Sequence, residues 1–128
     1  MAYLDIVVSA YSPLGSYNTP NTVRGNLTDV QPALMDDPLL KEIALKYNTS
    51  VASILLKWGI SRGTPVIVRS SNISHIAENI KSDSLIISEE HMNQINELNL
   101  TKSYRYFDYR HLCPPGINVS EFWDGEYY

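Results

Sequence analysis

Val66-Ile67-Val68-Arg69-Ser70-Ser71-Asn72-Ile73-Ser74-His75-Ile76-Ala77-Glu78-Asn79 is the stretch on which the fold turns. A short β-branched strand runs into a basic residue, then a hydroxyl cluster, then the start of a helix. Strand, polar turn and helix follow one another here, and the turn is a natural place for a phosphate. Backbone N–H groups at a helix N-terminus point outward, and the helix dipole adds roughly half a positive charge there. Arg69 contributes a planar fork of donors that can grip a phosphate at two points.

Working outward, Pro65 to Val68 reads as a second strand, because an earlier one is already present. Ile6-Val7-Val8-Ser9-Ala10-Tyr11 is a nearly continuous apolar run closed by Pro13 and Gly15. Such a run predicts a strand buried on both faces, as in a parallel sheet. Tyr17 to Leu34 has no clear period and reads as a long loop. Asp37-Pro38 then opens a helix, with the carboxylate as N-cap and proline at the first helical position. Leu39, Leu40, Ile43, Ala44 and Tyr47 form its apolar stripe. Thr49 or Ser50 caps the next helix, whose face is Val51, Ile54, Leu55 and Trp58 and whose end is set by Gly63. Trp58 reads as a core residue. A short helix is expected over about Ser74 to Ile80, and Ser88 caps a last one carrying Met92, Ile95 and Leu98. The chain from Ser103 onward is aromatic, rich in proline and glycine, and expected to be irregular.

Strands alternating with helices indicate a parallel α/β layout. Residues 1–102 hold the strands and helices and residues 103–128 the tail. Only two strands are legible, too few to close a barrel, so the expected fold is a portion of an α/β domain.

The totals narrow the function classes. At 128 residues the chain has room for one modest core. Its net charge of −4 offers no general basic surface to nucleic acid or anionic lipid, so any anion needs a local cluster. No apolar run approaches the roughly 20 residues of a membrane span, and the first residues lack the basic start of a signal peptide. The single cysteine, Cys113, forms no internal disulfide and fits a reducing, cytoplasmic compartment. Asn26, Asn48, Asn72, Asn99 and Asn118 each open an Asn-x-Ser/Thr triplet, which without a secretory signal reads as chance. No metal-ligand pattern is present.

Ala10-Tyr11-Ser12-Pro13-Leu14-Gly15-Ser16, followed two helices later by Arg69-Ser70 through Glu78-Asn79, resembles the aldo-keto reductases. The resemblance covers the C-terminal portion of that family, from its seventh barrel strand to its specificity tail. It implies part of a (β/α)8 barrel, incomplete as a stand-alone barrel, that works with NADPH and no metal on aldehydes and ketones. Barrel enzymes act at the C-terminal face of the strands, often with phosphate held after strands seven and eight.

By that resemblance, Tyr11 matches the tyrosine that stacks on the nicotinamide ring. Ser12, Leu14 and Ser16 match positions along the pyrophosphate. Arg69, where the family often has lysine, and Ser70 match the residues that hold the 2′-phosphate. His75 takes the place of an arginine that meets the same phosphate, and Glu78 and Asn79 match residues that touch the adenine. An imidazole carries less positive charge near pH 7 than a guanidinium, which implies a weaker preference for NADPH over NADH. In isolation Arg69 would read as a solvated arginine, Tyr11 as a strand-end aromatic and His75, Glu78 and Asn79 as helix-surface residues. The motif around them carries the cofactor reading. In the family the tail, here with Tyr104, Phe107, Phe122 and Trp123, borders the substrate pocket and suits a small carbonyl substrate.

The family's catalytic tyrosine, lysine, histidine and aspartate come from the first half of its barrel, and nothing here matches their motifs. No residue of this chain is therefore expected to act as the catalytic acid. Three readings follow. The chain is the cofactor-binding part of an NADPH-dependent reductase, whose missing half-barrel is supplied by a second chain or is simply not included in this sequence; or a non-catalytic cofactor-binding or assembly module; or a truncated gene product. The oligomeric state and the substrate are not legible.

Overall fold

The computed structural model describes residues 6–15, 33–101 and 110–125. They fall into two compact units, taken separately: 6–15 with 33–101, and 110–125. Most of the expected Tyr17–Leu34 loop lies outside the described residues, as do Ser16, Tyr104 and Phe107.

In the first unit, β1 (Ala10–Tyr11) leads by way of a 3-10 turn over Leu34–Asp36 to α1 (Pro38–Lys46) and α2 (Val51–Ser61). Then come β2 (Val66–Ile67), α3 (Ile73–Lys81), a 3-10 turn over Ser82–Ser84 and α4 (Glu89–Thr101). The helix starts follow from local hydrogen bonding. Buried Asp37 caps α1, accepting from the Leu39 and Leu40 N–H groups at 2.9 and 3.4 Å, with Pro38 in the first turn. Ser50, rather than Thr49, caps α2 by accepting from the Ser53 N–H at 3.2 Å. That helix ends with Gly63 at φ +72°, while the Thr64 N–H donates back to the Gly59 carbonyl at 3.2 Å.

Leu40, Ile43 and Ala44 of α1 meet Ile54 and Leu55 of α2 and Ile95 of α4 in one buried cluster. Leu39, Tyr47, Val51 and Leu98 pack around it, so the expected stripes are the buried ones. Trp58 is only half-buried, at the edge of this cluster rather than within it, because its indole N–H must reach Asn96 Oδ1 at 2.8 Å. Arg62 lies 4.6 Å above its ring. A polar clasp fixes α4 to α1: Tyr47 Oη accepts from the Ser88 N–H at 2.8 Å and stands 2.8 Å from His91 Nδ1. Ser88 in turn begins α4, its Oγ accepting from the His91 N–H at 3.3 Å.

β1 and β2 pair in parallel, with Ala10 opposite Val66 and Tyr11 opposite Ile67. The expected burial of the first strand on both faces does not hold. Ile6, Val7, Val8 and Tyr11 are exposed, and only Ala10–Tyr11 of the run is strand. A parallel strand is buried when helices and neighbouring strands enclose it. Among the described residues β2 is its sole strand partner. The sheet approaches α2 closely at Gly59, where an added Cβ would sit 2.7 Å from Val66 Cγ1.

The second unit corrects the expectation of a wholly irregular tail. It has a 3-10 turn over Arg110–Leu112 and a short α5 (Val119–Phe122), started by Asn118 Oδ1 accepting from the Ser120 N–H at 2.9 Å. Phe122 and Trp123 meet edge to face at 5.1 Å. No helix among the described residues is long and apolar enough to cross a membrane.

Gly59→Ala is expected to cost about 1–3 kcal/mol by forcing α2 off β2. Urea unfolding of the variant beside the parent protein measures it, and an unchanged midpoint would show that the contact is not constraining.

Candidate functional site

Parallel pairing puts the C-terminal ends of both strands on one edge. Ser12 follows β1 in the left-handed region, φ +53°, and its carbonyl accepts from the Gly15 N–H at 3.0 Å, so the chain turns sharply there. Val68, Arg69 and Ser70 leave β2 beside it and lead directly into α3. Between that segment and α3 lies a cleft of about 410 Å³ lined by Val68, Arg69, Ser70, Ile76, Asn79 and Ile80.

The turn into α3 is locally determined. Ser70 Oγ accepts from the Asn72 N–H at 3.1 Å. Asn72 is the N-cap, its Oδ1 accepting from the Ser74 N–H at 2.9 Å and from the Ser74 hydroxyl at 2.7 Å. The Ser74 N–H is thus already satisfied. An anion at this end would depend on the remaining first-turn N–H groups, on the Ser70 and Ser71 hydroxyls and on Arg69. Arg69 is exposed at the cleft and forms no ion pair among the described residues, whose two ion pairs both lie on α1 and the turn before it. A positive group with no acidic partner beside a helix N-terminus fits a phosphate.

Of the residues singled out in the sequence, the structure brings Arg69, Ser70 and Asn79 to the walls of this one cleft. Tyr11 stands on the neighbouring strand, opposite Ile67, largely exposed. Ser12 is half-buried in the adjoining turn. Leu14 packs against the hydrophobic core. Ser16 lies outside the described residues. His75 and Glu78 do not line the cleft: at 3.6 residues per turn Glu78 falls roughly 160° around α3 from Ile76, and His75 roughly 100°. His75 is fully on the surface, and Glu78 is half-buried.

Sequence reading missed Asn72 as the helix cap and Ile76 and Ile80 as cleft wall. The signals were present: an asparagine two residues before a serine at a strand-to-helix turn, and isoleucines at four-residue spacing. Among the described residues no group of three or more His, Cys, Asp or Glu is placed to hold a metal ion.

Comparison with known proteins bears on what this edge binds. The sequence profile of the Aldo/keto reductase family matches residues 1–100. Aldo-keto reductase family 1 member D1 of Oryctolagus cuniculus is 38% identical over 104 residues, covering 81% of this chain and 30% of that protein. Aldo-keto reductase family 1 member A1 of Homo sapiens is 39% identical over 99 residues, 77% of this chain and 28% of that protein. The NADP-dependent D-sorbitol-6-phosphate dehydrogenase of Malus domestica is 35% identical over 100 residues, 78% of this chain and 30% of that protein. The chain thus spans about three tenths of the length of these relatives.

Asn72→Ala is expected to cost about 1 kcal/mol by removing the cap of α3, with Asn72→Asp close to the parent. Amide hydrogen exchange across residues 73–77 checks it: faster exchange in the alanine variant alone is the expected result.

Proposed function

The chain belongs to the aldo/keto reductase family, and we propose that it forms the part of such an oxidoreductase that holds the phosphate end of NADPH. In this reading it is the C-terminal portion of the family's (β/α)8 barrel, from the seventh strand to the specificity tail. One observation carries the proposal: Arg69, Ser70 and Asn79 share a single cleft at the C-terminal edge of two parallel strands, against the start of a helix. Ligands of α/β proteins bind at that edge. The relatives include an NADP-dependent dehydrogenase, which implies a nicotinamide cofactor for the family.

Each residue has a role that follows from its chemistry. Arg69 grips the 2′-phosphate through its guanidinium fork, and Ser70 adds a hydroxyl. Asn79, one turn into α3 from His75, offers an amide to the adenine edge. Ile76 and Ile80 give that base an apolar wall. Tyr11 presents a flat face at the end of the adjoining strand, where it sets which side of a stacked nicotinamide is open. Ser12, Leu14 and Ser16 follow Tyr11 in sequence, and we assign them to the pyrophosphate. His75 and Glu78 lie on α3 outside the cleft lining, and their proposed contacts, with the 2′-phosphate and the adenine, fall at its margin. When bound, NADPH would supply the hydride for reduction of an aldehyde or ketone, and its oxidised form, NADP+, would take one from an alcohol.

Reduction of a carbonyl also needs a proton donor held against the oxygen that becomes an alkoxide. We assign no such donor within these residues, so the chain by itself binds the cofactor without turning over a carbonyl substrate. We propose a reducing, cytoplasmic setting for this work, which the single cysteine, Cys113, fits.

Titration of the 128-residue protein with NADPH and NADH, followed by energy transfer from tryptophan to nicotinamide, tests the reading. Saturable binding that favours NADPH is expected, and Arg69→Ala should weaken NADPH by about 10- to 100-fold, the worth of a charge-assisted hydrogen bond, with NADH little changed. Equal loss for both nucleotides, or no loss for either, would overturn the assignment of Arg69 to the 2′-phosphate.

A further inference from the structure

We infer that Ser74 is a positioning residue for the cleft: acting through Asn72, it sets the Ser70 hydroxyl as a ready donor to a phosphate oxygen. The inference rests on the cofactor reading above and adds to it a residue outside the cleft lining.

The oxygen of Ser70 is held from one side. It accepts from the Asn72 N–H at 3.1 Å, whereas the Ser70 proton is given to the Asn72 carbonyl at 3.4 Å. That carbonyl is already engaged within α3, where it accepts from the Ile76 N–H at 3.0 Å. A separation of 3.4 Å is long for an O–H···O bond, which is usually about 2.7–2.8 Å. The Ser70 oxygen is thus fixed while its proton is weakly committed. A phosphate oxygen offering a shorter, charge-assisted bond takes that proton.

Holding the Ser70 oxygen requires the Asn72 N–H to stay in place, and two bonds from Ser74 restrain Asn72. Asn72 Oδ1 accepts from the Ser74 N–H at 2.9 Å and from the Ser74 hydroxyl at 2.7 Å. Capping α3 needs only the first of these. The second is surplus to the helix start, and it is the shorter. Asn72 and Ser74 are both exposed, so this bond closes no core. Water competes for both partners of such a bond, and its net contribution to stability is small. Its effect is on geometry. With Oδ1 held by two donors the Asn72 side chain loses rotational freedom, the Asn72 N–H stays aimed at Ser70, and Ser70 stays on the cleft wall beside Arg69.

Binding of NADPH and of NADH to the 128-residue protein and its variants, read by energy transfer from tryptophan, tests the inference. Ser74→Ala removes the hydroxyl bond and keeps the capping N–H. It is expected to weaken NADPH by about threefold to tenfold, the worth of one net hydrogen bond, and NADH by less than about twofold. Ser74→Thr restores a hydroxyl and should return NADPH affinity to within about twofold of the parent. Ser70→Ala should also weaken NADPH, and adding Ser74→Ala to it should cost nothing more, because Ser74 acts only through Ser70. Amide hydrogen exchange across residues 73–77 should be the same in Ser74→Ala as in the parent, which separates positioning from a frayed helix. Faster exchange there, a Ser74→Ala loss that persists beside Ser70→Ala, equal loss for both nucleotides, or no loss would overturn the inference and leave the cofactor reading in place. A Ser70→Ala variant that binds like the parent, or a parent that does not distinguish NADPH from NADH, would overturn both.

Discussion

The close approach of Gly59 to Val66 sets the position of nearly everything that matters here. Gly59 contributes no side chain, so Val66 Cγ1 packs directly against α2, and an added Cβ would sit 2.7 Å from it. The helix therefore rests directly on the strand. β2 is short, so this contact and the pairing with β1 together bear on where Val68, Arg69 and Ser70 emerge. β1 in turn is aligned on β2 by the Ala10–Val66 and Tyr11–Ile67 register.

Behind that contact, helix packing supplies the stiffness. Leu40, Ile43, Ile54, Leu55 and Ile95 bring three helices into one buried cluster. Tyr47 closes it on the polar side by bridging the start of α4, with its hydroxyl shared between the Ser88 N–H and the His91 ring. Hydrogen bonds at the ends and apolar contacts in the middle are complementary: the caps choose where each helix begins, and burial decides which face turns inward. The sheet lacks this double support, and its exposed valines and isoleucines show the consequence.

The cleft combines both levels. Its polar wall is made by local bonding, since Ser70, Asn72 and Ser74 hold one another in the turn. Its other wall is made by the helical phase of Ile76, Asn79 and Ile80, two apolar residues and one amide. Arg69 remains at the junction with its charge unmatched among the described residues, beside the positive end of α3. Two positive features side by side repel unless an anion lies between them, which is the physical reason this edge reads as a phosphate site.

How much of this was legible beforehand differs from element to element. Local chemistry, carried by a few neighbouring residues, decided the Asp37 and Ser50 caps, the Gly63 stop, the apolar stripes of α1 and α2, and the βα turn at Arg69-Ser70. The motif from Ala10 to Ser16, together with Arg69 to Asn79, was enough to point to the family. Tertiary structure alone decided the rest, because each remaining feature depends on residues far apart in the chain. The apolar run at Ile6 predicted burial, but burial requires a neighbour, and the sequence of a strand does not say whether its neighbours are present. Trp58 looked like core until Asn96, thirty-eight residues away, drew its indole N–H to the edge. His75 and Glu78 shared a motif with Asn79, yet the rotation of α3 against β2 gave the cleft to Asn79 alone. Sequence determined which segments form and what chemistry they carry; packing determined which of their side chains meet.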